Sequence, residues 1–178
     1  DLIKRGKVRT PIEFGHKVFL AESAQGLITQ YEVLKGNPAD EMHVMPSLRR
    51  HRKAFGRAPE LYGSDRGFFS EQNVAACVRD GVKVVCIPQR GGKKTPEREA
   101  CEESSEFKQG QRFRAGIEGR ISVLFRGRGM KRCLAEGIER FELWVAAAVL
   151  ANNLMTVARL STKRSARRRK AAPQPSAA

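Results

Sequence analysis

The sequence has few of the features by which metal-binding and nucleotide-driven proteins are usually recognised. Its four cysteines show no CxxC spacing, and its three histidines all precede them, so no zinc site is indicated and we expect reduced thiols that mostly serve packing. It contains no Walker-type phosphate loop, GxSxG elbow or HExxH pair. Nucleotide-driven and serine-hydrolase functions therefore lose their usual support.

Long hydrophobic runs are also lacking. The longest, Leu143 to Ala151, is well short of the roughly 20 residues that a membrane span requires. No apolar segment with a cleavage site opens the sequence. We therefore expect a cytoplasmic protein that has no membrane partner. Because the sequence starts at Asp1 without a Met, we also expect an upstream part to be missing.

Acidic residues are scarce relative to basic ones. Against 34 Lys and Arg there are 19 Asp and Glu, which leaves a formal net charge of +15. Such a chain repels itself unless a polyanion is its usual partner, so nucleic acid is the leading candidate. Residues 161–178 hold six bases and no acid, and we predict a basic disordered tail there. The other nine charges belong to residues 1–160, which we predict to form one folded domain.

The hydrophobic pattern favours an α/β fold. Two β-rich stretches, 16–21 and 27–34, flank a Gln-Gly break typical of a hairpin. A short predicted strand at 59–65 and a nearly continuous apolar run at 82–88 flank a helix that Ser70 is expected to cap. The order strand, helix, strand indicates an α/β layer.

Helices are predicted elsewhere in the chain. Asp40 is expected to cap one that starts late or kinks because of Pro46. A second runs from about Phe107 to Phe125 and a third from Ile138 to Leu160, the latter central to the core and interrupted at Asn152-Asn153. The expected core stripe of the second comprises Phe113, Ile117, Ile121 and Leu124.

Two carboxylates, those of Asp65 and Glu118, are candidates for a catalytic site. Asp65 follows a predicted strand in GSDRGFFS, at the strand end where open α/β sheets place functional groups, although Asp before Gly is more often a turn former. Glu118 belongs to a helical strip with Arg114, Ser122 and Arg126, which is either a surface ladder or a metal ligand flanked by phosphate-binding arginines. Two-metal phosphodiester chemistry requires such hard oxygen ligands from separate segments.

Four strings carry a family resemblance. They are RGKxxxPxEFGHKV at Arg5 to Val18, ITxYxVLxGNPxDE at Ile28 to Glu41, SDRGFFSxxN at Ser64 to Asn73 and RAGIEGRIS at Arg114 to Ser122. Together with the order of elements, they resemble the catalytic domain of the DDE transposases of insertion sequences, over most of residues 4–160. The resemblance implies a ribonuclease H-like mixed sheet flanked by helices.

The resemblance also implies a site. Asp65 would be the second acid of the triad and Glu118 the third, both binding Mg²⁺ or Mn²⁺. The first acid would lie on a strand before Asp1, so we expect this chain to lack its first strand and first acid. Arg114 resembles the arginine of the Tyr-Arg-Glu-Lys signature, whose tyrosine and lysine positions hold Gln111 and Phe125.

The function implied is DNA strand cleavage and transfer in transposition by a C-terminal fragment. Its partners would be transposon ends and target DNA, in a prokaryotic cytoplasm and at the nucleoid, with a homo-oligomer possible for the full-length parent. A catalytically inactive DNA-binding remnant and a ribonuclease H-like nuclease are the alternatives. The residues expected to contact DNA are Arg90, Lys93, Lys94, Arg114, Arg120 and Arg126.

Overall fold

A computed structural model describes residues 2–4, 12–134 and 136–171, with side chains over 15–134 and 136–167. The fold is mixed α/β. Its strands are β1 (Leu2–Lys4), β2 (Ile12–Phe14), β3 (Val18–Glu22), β4 (Ile28–Val33), β5 (Leu61–Gly63) and β6 (Val84–Cys86). Its helices are α1 (Val44–Phe55), α2 (Glu71–Arg79), α3 (Pro96–Glu103), α4 (Ser105–Gly127) and α5 (Ile138–Ala171).

The predicted hairpin is confirmed as the antiparallel pair β3 and β4. Val18 pairs with Val33 and Leu20 with Tyr31. The turn closes through a hydrogen bond from the Gly26 N–H to the Ser23 carbonyl, and Gly26 adopts a φ of +83° that a side chain would disfavour. The break at Gln25-Gly26 is therefore a turn signal with a backbone cause.

The predicted strand, helix, strand unit is also confirmed. β5 and β6 are parallel, with Gly63 opposite Cys86, and α2 connects them. The Ser70 hydroxyl accepts a hydrogen bond from the Asn73 N–H at 3.1 Å, so Ser70 is the cap that the sequence indicates. This unit brings residue 65 to the edge of the parallel pair.

The strands do not join into the single mixed sheet that was expected. Among the described residues they form three two-stranded sheets, β1 with β2, β3 with β4, and β5 with β6. Helix α1 packs against both β4 and α2, and so connects the hairpin to the parallel unit through side chains. The architecture is α/β, and the continuous sheet is absent from the described part of the chain.

Two hydrophobic clusters correspond to these two units. One contains Leu124 of α4, Val145 and Val149 of α5, and Ile28 and Val33 of the hairpin. The other joins α1 to α2 and to the residues that flank β6, and consists of Val44, Leu48, Cys77, Val82 and Ile87. Helix α4 spans both units, because its first half packs on β5 and β6 and its last turns reach α5.

The expectation that Asp40 caps a helix is wrong. Asp40 begins a 3₁₀ turn, Asp40–His43, that precedes α1 and has Ala39 at its N-cap without a side-chain bond. The Asp40 carboxylate instead pairs with the Lys17 ammonium at 2.6 Å. A charged donor is a stronger partner than a backbone N–H. Helix α1 starts two residues before Pro46, where proline is tolerated.

The predicted core stripe of α4 is largely wrong. Leu124 is fully buried, whereas Phe113 and Ile121 are exposed. The buried positions of this helix are Phe107, Gly110 and Leu124. The helix itself is confirmed, but the face that meets β5 and β6 lies to one side of the apolar stripe, where the Gln111 side chain bonds to the carbonyls of Ser64 and Cys86.

Helix α5 differs from its prediction in its continuity and in its length. It runs without interruption through Asn152 and Asn153, because Asn153 bonds the Ile28 backbone outside the helix. It continues to Ala171, so residues 161–171 are helical rather than disordered, consistent with the good helix propensities of Ala, Arg and Lys. Residues 172–178 of the predicted tail lie outside the described residues, as do the Asp1 start and residues 5–11 of the RGK segment.

Helix α5 was expected to be central to the core, but only one of its faces is buried there. Val145, Val149 and Asn152 are buried, while several leucines of the other face are exposed. By length and composition alone, the stretch Ile138–Arg167 could cross a membrane, although a helix that packs in a soluble protein can pass the same test.

Candidate functional site

Asp65 lies two residues beyond the end of β5, as the sequence predicts. It begins the 3₁₀ turn Arg66–Phe68, and its Oδ1 accepts a hydrogen bond from the Gly67 N–H at 2.8 Å. Its Oδ2 points instead toward α4, where the Arg114 Nη2 lies 3.5 Å away. The side chain is 44% exposed, so solvent and ligands can reach it.

Gly67 allows two carboxylates to approach the same backbone. A Cβ built there would lie 2.7 Å from Asp40 Oδ2, so that this carboxylate would have to shift, and 3.0 Å from Asp65 Oδ1, which is a tight contact. The Asp40 carboxylate is compensated by Lys17. The glycine after Asp-Arg is therefore favoured by crowding, not by a left-handed φ.

Glu118 is brought to Asp65 through Arg114. The Arg114 Nη1 lies 3.4 Å from Glu118 Oε1, one helical turn along α4. One guanidinium thus links two carboxylates that are 53 positions apart in the chain. The Glu118 side chain is 69% exposed, so this pair adds little to stability. The Arg114–Glu118 pair matters because it places the Asp65 and Glu118 carboxylates beside the same guanidinium.

Gln111 fixes α4 against the ends of the parallel strands. Its Nε2 donates to the Cys86 carbonyl at 2.6 Å and to the Ser64 carbonyl at 3.2 Å. Gly110 makes the approach possible, because a Cβ there would overlap Cys86 Sγ and lie 2.9 Å from Cys86 Cβ. These contacts set the position of Arg114, one turn further along the helix.

The basic loop beside the site is held by an internal ion-pair network. Glu102 of α3 accepts hydrogen bonds from the Gln89 N–H at 2.7 Å and from Arg98 Nε at 2.8 Å, and its Oε2 pairs with Lys94 at 2.8 Å. Arg98 also donates to the Ile87 carbonyl and stacks its guanidinium over the Phe69 and Phe107 rings. The loop that carries Arg90 is therefore anchored at both ends.

This network perturbs the titration of Glu102. Burial by itself would raise the pKa of its carboxyl, but the hydrogen bonds from Lys94, the Gln89 N–H and Arg98 outweigh that effect and hold the pKa below its ordinary value of 4.5. The Glu102 carboxylate is therefore charged at neutral pH and keeps the Lys94 ammonium in an internal ion pair.

The residues expected to contact DNA are in different situations. Arg90 and Arg114 line an open cleft together with Asp65 and Arg66. Lys93 and Arg126 are exposed but do not line this cleft. Lys94 and Arg120 are engaged in ion pairs, the latter with Glu22 at 3.0 Å. Only part of the predicted set therefore surrounds the acidic pair.

The acidic pair fits a hard divalent cation in donor type but not in donor number. Asp65 and Glu118 offer carboxylate oxygens, which Mg²⁺ and Mn²⁺ prefer. No group of three or more acidic, histidine or cysteine side chains that could hold a metal ion occurs within the described residues. Asp65 and Glu118 would therefore need a further ligand.

Sequence reasoning gave no functional role to three residues of the cleft, namely Asp40, which was expected to cap a helix, Arg66 and Gln111. Gln111 lies on the same face of α4 as Arg114, three positions earlier, and this spacing is the signal that could have identified it. Asp40 carries no such signal, because it reaches the cleft through the tertiary approach of its turn to Arg66–Phe68.

Comparison of this chain with protein-family models, with curated proteins and with solved structures found no match in any of the three.

Proposed function

We propose that this chain is the C-terminal part of a DNA transposase of the DDE insertion-sequence type, with Asp65 and Glu118 as two of its metal-binding acids. The observation that carries the proposal is the pairing of both carboxylates with Arg114, at the edge of a cleft that also holds Arg66 and Arg90. The ribonuclease H-like fold is part of this proposal.

Each residue of the site has a distinct role in this proposal. The Gly67 N–H holds one oxygen of Asp65 and thereby fixes the direction of the other. Arg114 compensates the two acids and would also bind a phosphate of DNA, as a guanidinium does well. A bound Mg²⁺ or Mn²⁺ would supply activation of the attacking oxygen and stabilisation of the leaving one.

In a ribonuclease H-like arrangement one further strand, carrying the first acid, would join the β3–β4 hairpin to the β5–β6 pair. That strand would also supply the third carboxylate that the donor number of the cleft requires.

A cleavage assay tests the proposal. Supercoiled plasmid is incubated with the chain and Mg²⁺ or Mn²⁺ at low salt, and nicking is measured for the wild type, Asp65→Asn and Glu118→Gln. Glu106→Gln is the matched control, because Glu106 lies on the same helix away from Arg114. The expected lack of the first acid should make nicking by the wild type weak; we expect it to fall by about a further hundredfold in both site variants and to be retained in the control.

The second candidate is a DNA-binding fold without catalysis. It is favoured by the net charge of +15 together with the donor number of the acidic pair, since the described residues hold no group of three or more side chains that could bind a metal ion. In that case no metal produces nicking, while DNA is bound and Arg114→Ala weakens binding more than Arg112→Ala, a matched change at an exposed position of the same helix. Absence of both nicking and DNA binding would exclude both candidates.

A further inference from the structure

The outer face of α5 carries an unpartnered apolar stripe. Leu143, Leu150, Leu154 and Val157 are 70%, 60%, 61% and 49% exposed. With Ala147, also exposed, they follow one another at alternating spacings of four and three residues. The residues at the interface of a coiled coil alternate with the same spacings. Such residues form one narrow line of side chains that packs against a partner helix.

The opposite face of α5 is already bound to the body of the protein. Asn153 accepts a hydrogen bond from the Ile28 N–H at 2.9 Å and donates one to the Ile28 carbonyl at 2.8 Å. Val145, Asn152 and Thr156 are buried on the same side. The apolar stripe therefore cannot turn inward without breaking these contacts.

The C-terminal part of α5 projects beyond the body. Every residue from 157 to 167 is exposed, which corresponds to about 16 Å of helix. An isolated projection of this length is marginally stable in water. A partner that packs along the stripe would stabilise it.

The charges on α5 indicate which partner fits. Residues 136–142 carry three acids, Glu136, Glu139 and Glu142, against one base, Arg140, whereas 159–167 holds four bases and no acid. Two copies of this helix in antiparallel orientation place the acidic end of each beside the basic end of the other. In parallel orientation, four bases would face four identical bases.

We propose that α5 is a self-association surface through which two copies of this chain pair antiparallel along Leu143, Ala147, Leu150, Leu154 and Val157. Leu150 of one copy then packs on Leu154 of the other, and Ala147 on Val157. A two-fold pair of this kind buries the same patch on both chains. The inference does not depend on the proposed function.

A membrane is a less suitable occupant of the same stripe. The uncharged part of α5 runs from Leu143 to Ala158, about 24 Å of helix, against a hydrocarbon core of about 30 Å. A span would also have to release Asn153 from Ile28 and expose Asn152 and Thr156 to lipid.

Sedimentation velocity on the full chain, freed of nucleic acid, tests the association. We expect a dimer at micromolar concentrations. Replacing the two central leucines by Leu150→Glu and Leu154→Glu should raise the dissociation constant by about a hundredfold or more. Leu134→Glu is the control, because Leu134 is an equally exposed leucine outside α5. Circular dichroism checks that the variants remain folded.

Cross-linking tests the orientation. Cys101 and Cys133 are first replaced by Ser, and one chain carrying Ala147→Cys is mixed with another carrying Val157→Cys. We expect the mixed disulfide to form faster than either chain forms a disulfide with itself. A wild-type monomer, a dimer unaffected by the two glutamates, preferential self-linking of each cysteine variant, or a monomer that floats with neutral phosphatidylcholine vesicles would overturn the proposal.

Discussion

Asp65 uses its two carboxylate oxygens for different purposes. Oδ1 closes a turn with the Gly67 N–H, which is the structural role that Asp before Gly usually has. Oδ2 faces Arg114 and the cleft. The turn-forming and functional interpretations of this residue are therefore compatible, since the turn directs the second oxygen.

At the residue scale, we expect the thiols of the cysteines to differ strongly in their reactivity toward thiol reagents. Burial raises the pKa of the Cys77 and Cys86 thiols to about 11, with Asp80 and Cys101 respectively adding to the effect. Cys101 is exposed. At pH 8, we expect a thiol reagent to label Cys101 fully before Cys77 or Cys86 reacts, because few of the buried thiols are ionised. Peptide mapping of the labelled protein would check this, and equal labelling rates would contradict it.

The pH dependence of stability should report on Glu102. Because its folded pKa lies below 4.5, Glu102 contributes stability above pH 4.5 and loses that contribution as the pH falls through the folded pKa. We expect Glu102→Gln to lower the free energy of unfolding by about 1–3 kcal/mol at pH 7, with the difference narrowing below pH 4.5. Denaturant titrations across this range measure it.

Glu103→Gln serves as the control for Glu102, because Glu103 is exposed on the same helix. A loss of stability from Glu102→Gln that stays constant down to strongly acidic pH would show that the carboxylate charge is not what holds the loop.

At the scale of the elements, the close approach of α4 to the parallel strands decides where the site lies. Gly110 gives the space for this approach, and Gln111 bonds the carbonyls of Ser64 and Cys86. The contact brings Arg114 within reach of Asp65. The site is thus a consequence of one helix packing tightly on two strand ends.

Two alanine substitutions in α4 test this contact. Gly110→Ala would push a methyl group into Cys86, and we expect a loss of about 1–3 kcal/mol in the free energy of unfolding. Gly116→Ala meets no atom within 4 Å, and we expect a gain of up to about 1 kcal/mol from helix propensity. Thermal and denaturant unfolding would compare them, and similar effects at the two glycines would rule out the tight contact.

At the scale of the whole molecule, positive charge is distributed over both the body and the end of α5. Nine of the fifteen net charges belong to residues 1–160 and six to residues 161–178. Several bases of the body are engaged internally, as Lys94 is with Glu102 and Arg120 with Glu22. Net charge alone therefore overstates the surface available to a polyanion.

The salt dependence of DNA binding should distinguish the cleft from the rest of the surface. Replacing Arg66 and Arg90 by Ala should reduce the slope of log K against log salt by about 2, since each phosphate contact contributes about 0.9. The matched double variant Lys53→Ala and Arg57→Ala removes two exposed bases that do not line the cleft. An equal reduction in both double variants would mean that DNA does not use the cleft.

The sequence by itself determined the local elements and their order. Hydrophobic alternation and the Gln25-Gly26 break were enough for the hairpin, and Ser70 with the apolar run at 82–88 was enough for the parallel unit. It also indicated that Asp65 follows a strand end and that Arg114 and Glu118 share one side of a helix. These features depend on contacts between residues close in the chain, which leave a regular pattern.

Only the tertiary structure decided how these elements meet. The inward face of α4 was misjudged because Gly110 and Gln111 dock on strand carbonyls, a contact that leaves no apolar signal. The continuity of α5 was missed because Asn153 has a partner 125 positions away. The roles of Lys94 and Arg120 likewise follow from ion pairs with Glu102 and Glu22. Such polar long-range contacts have no periodicity, so chain packing alone decides them.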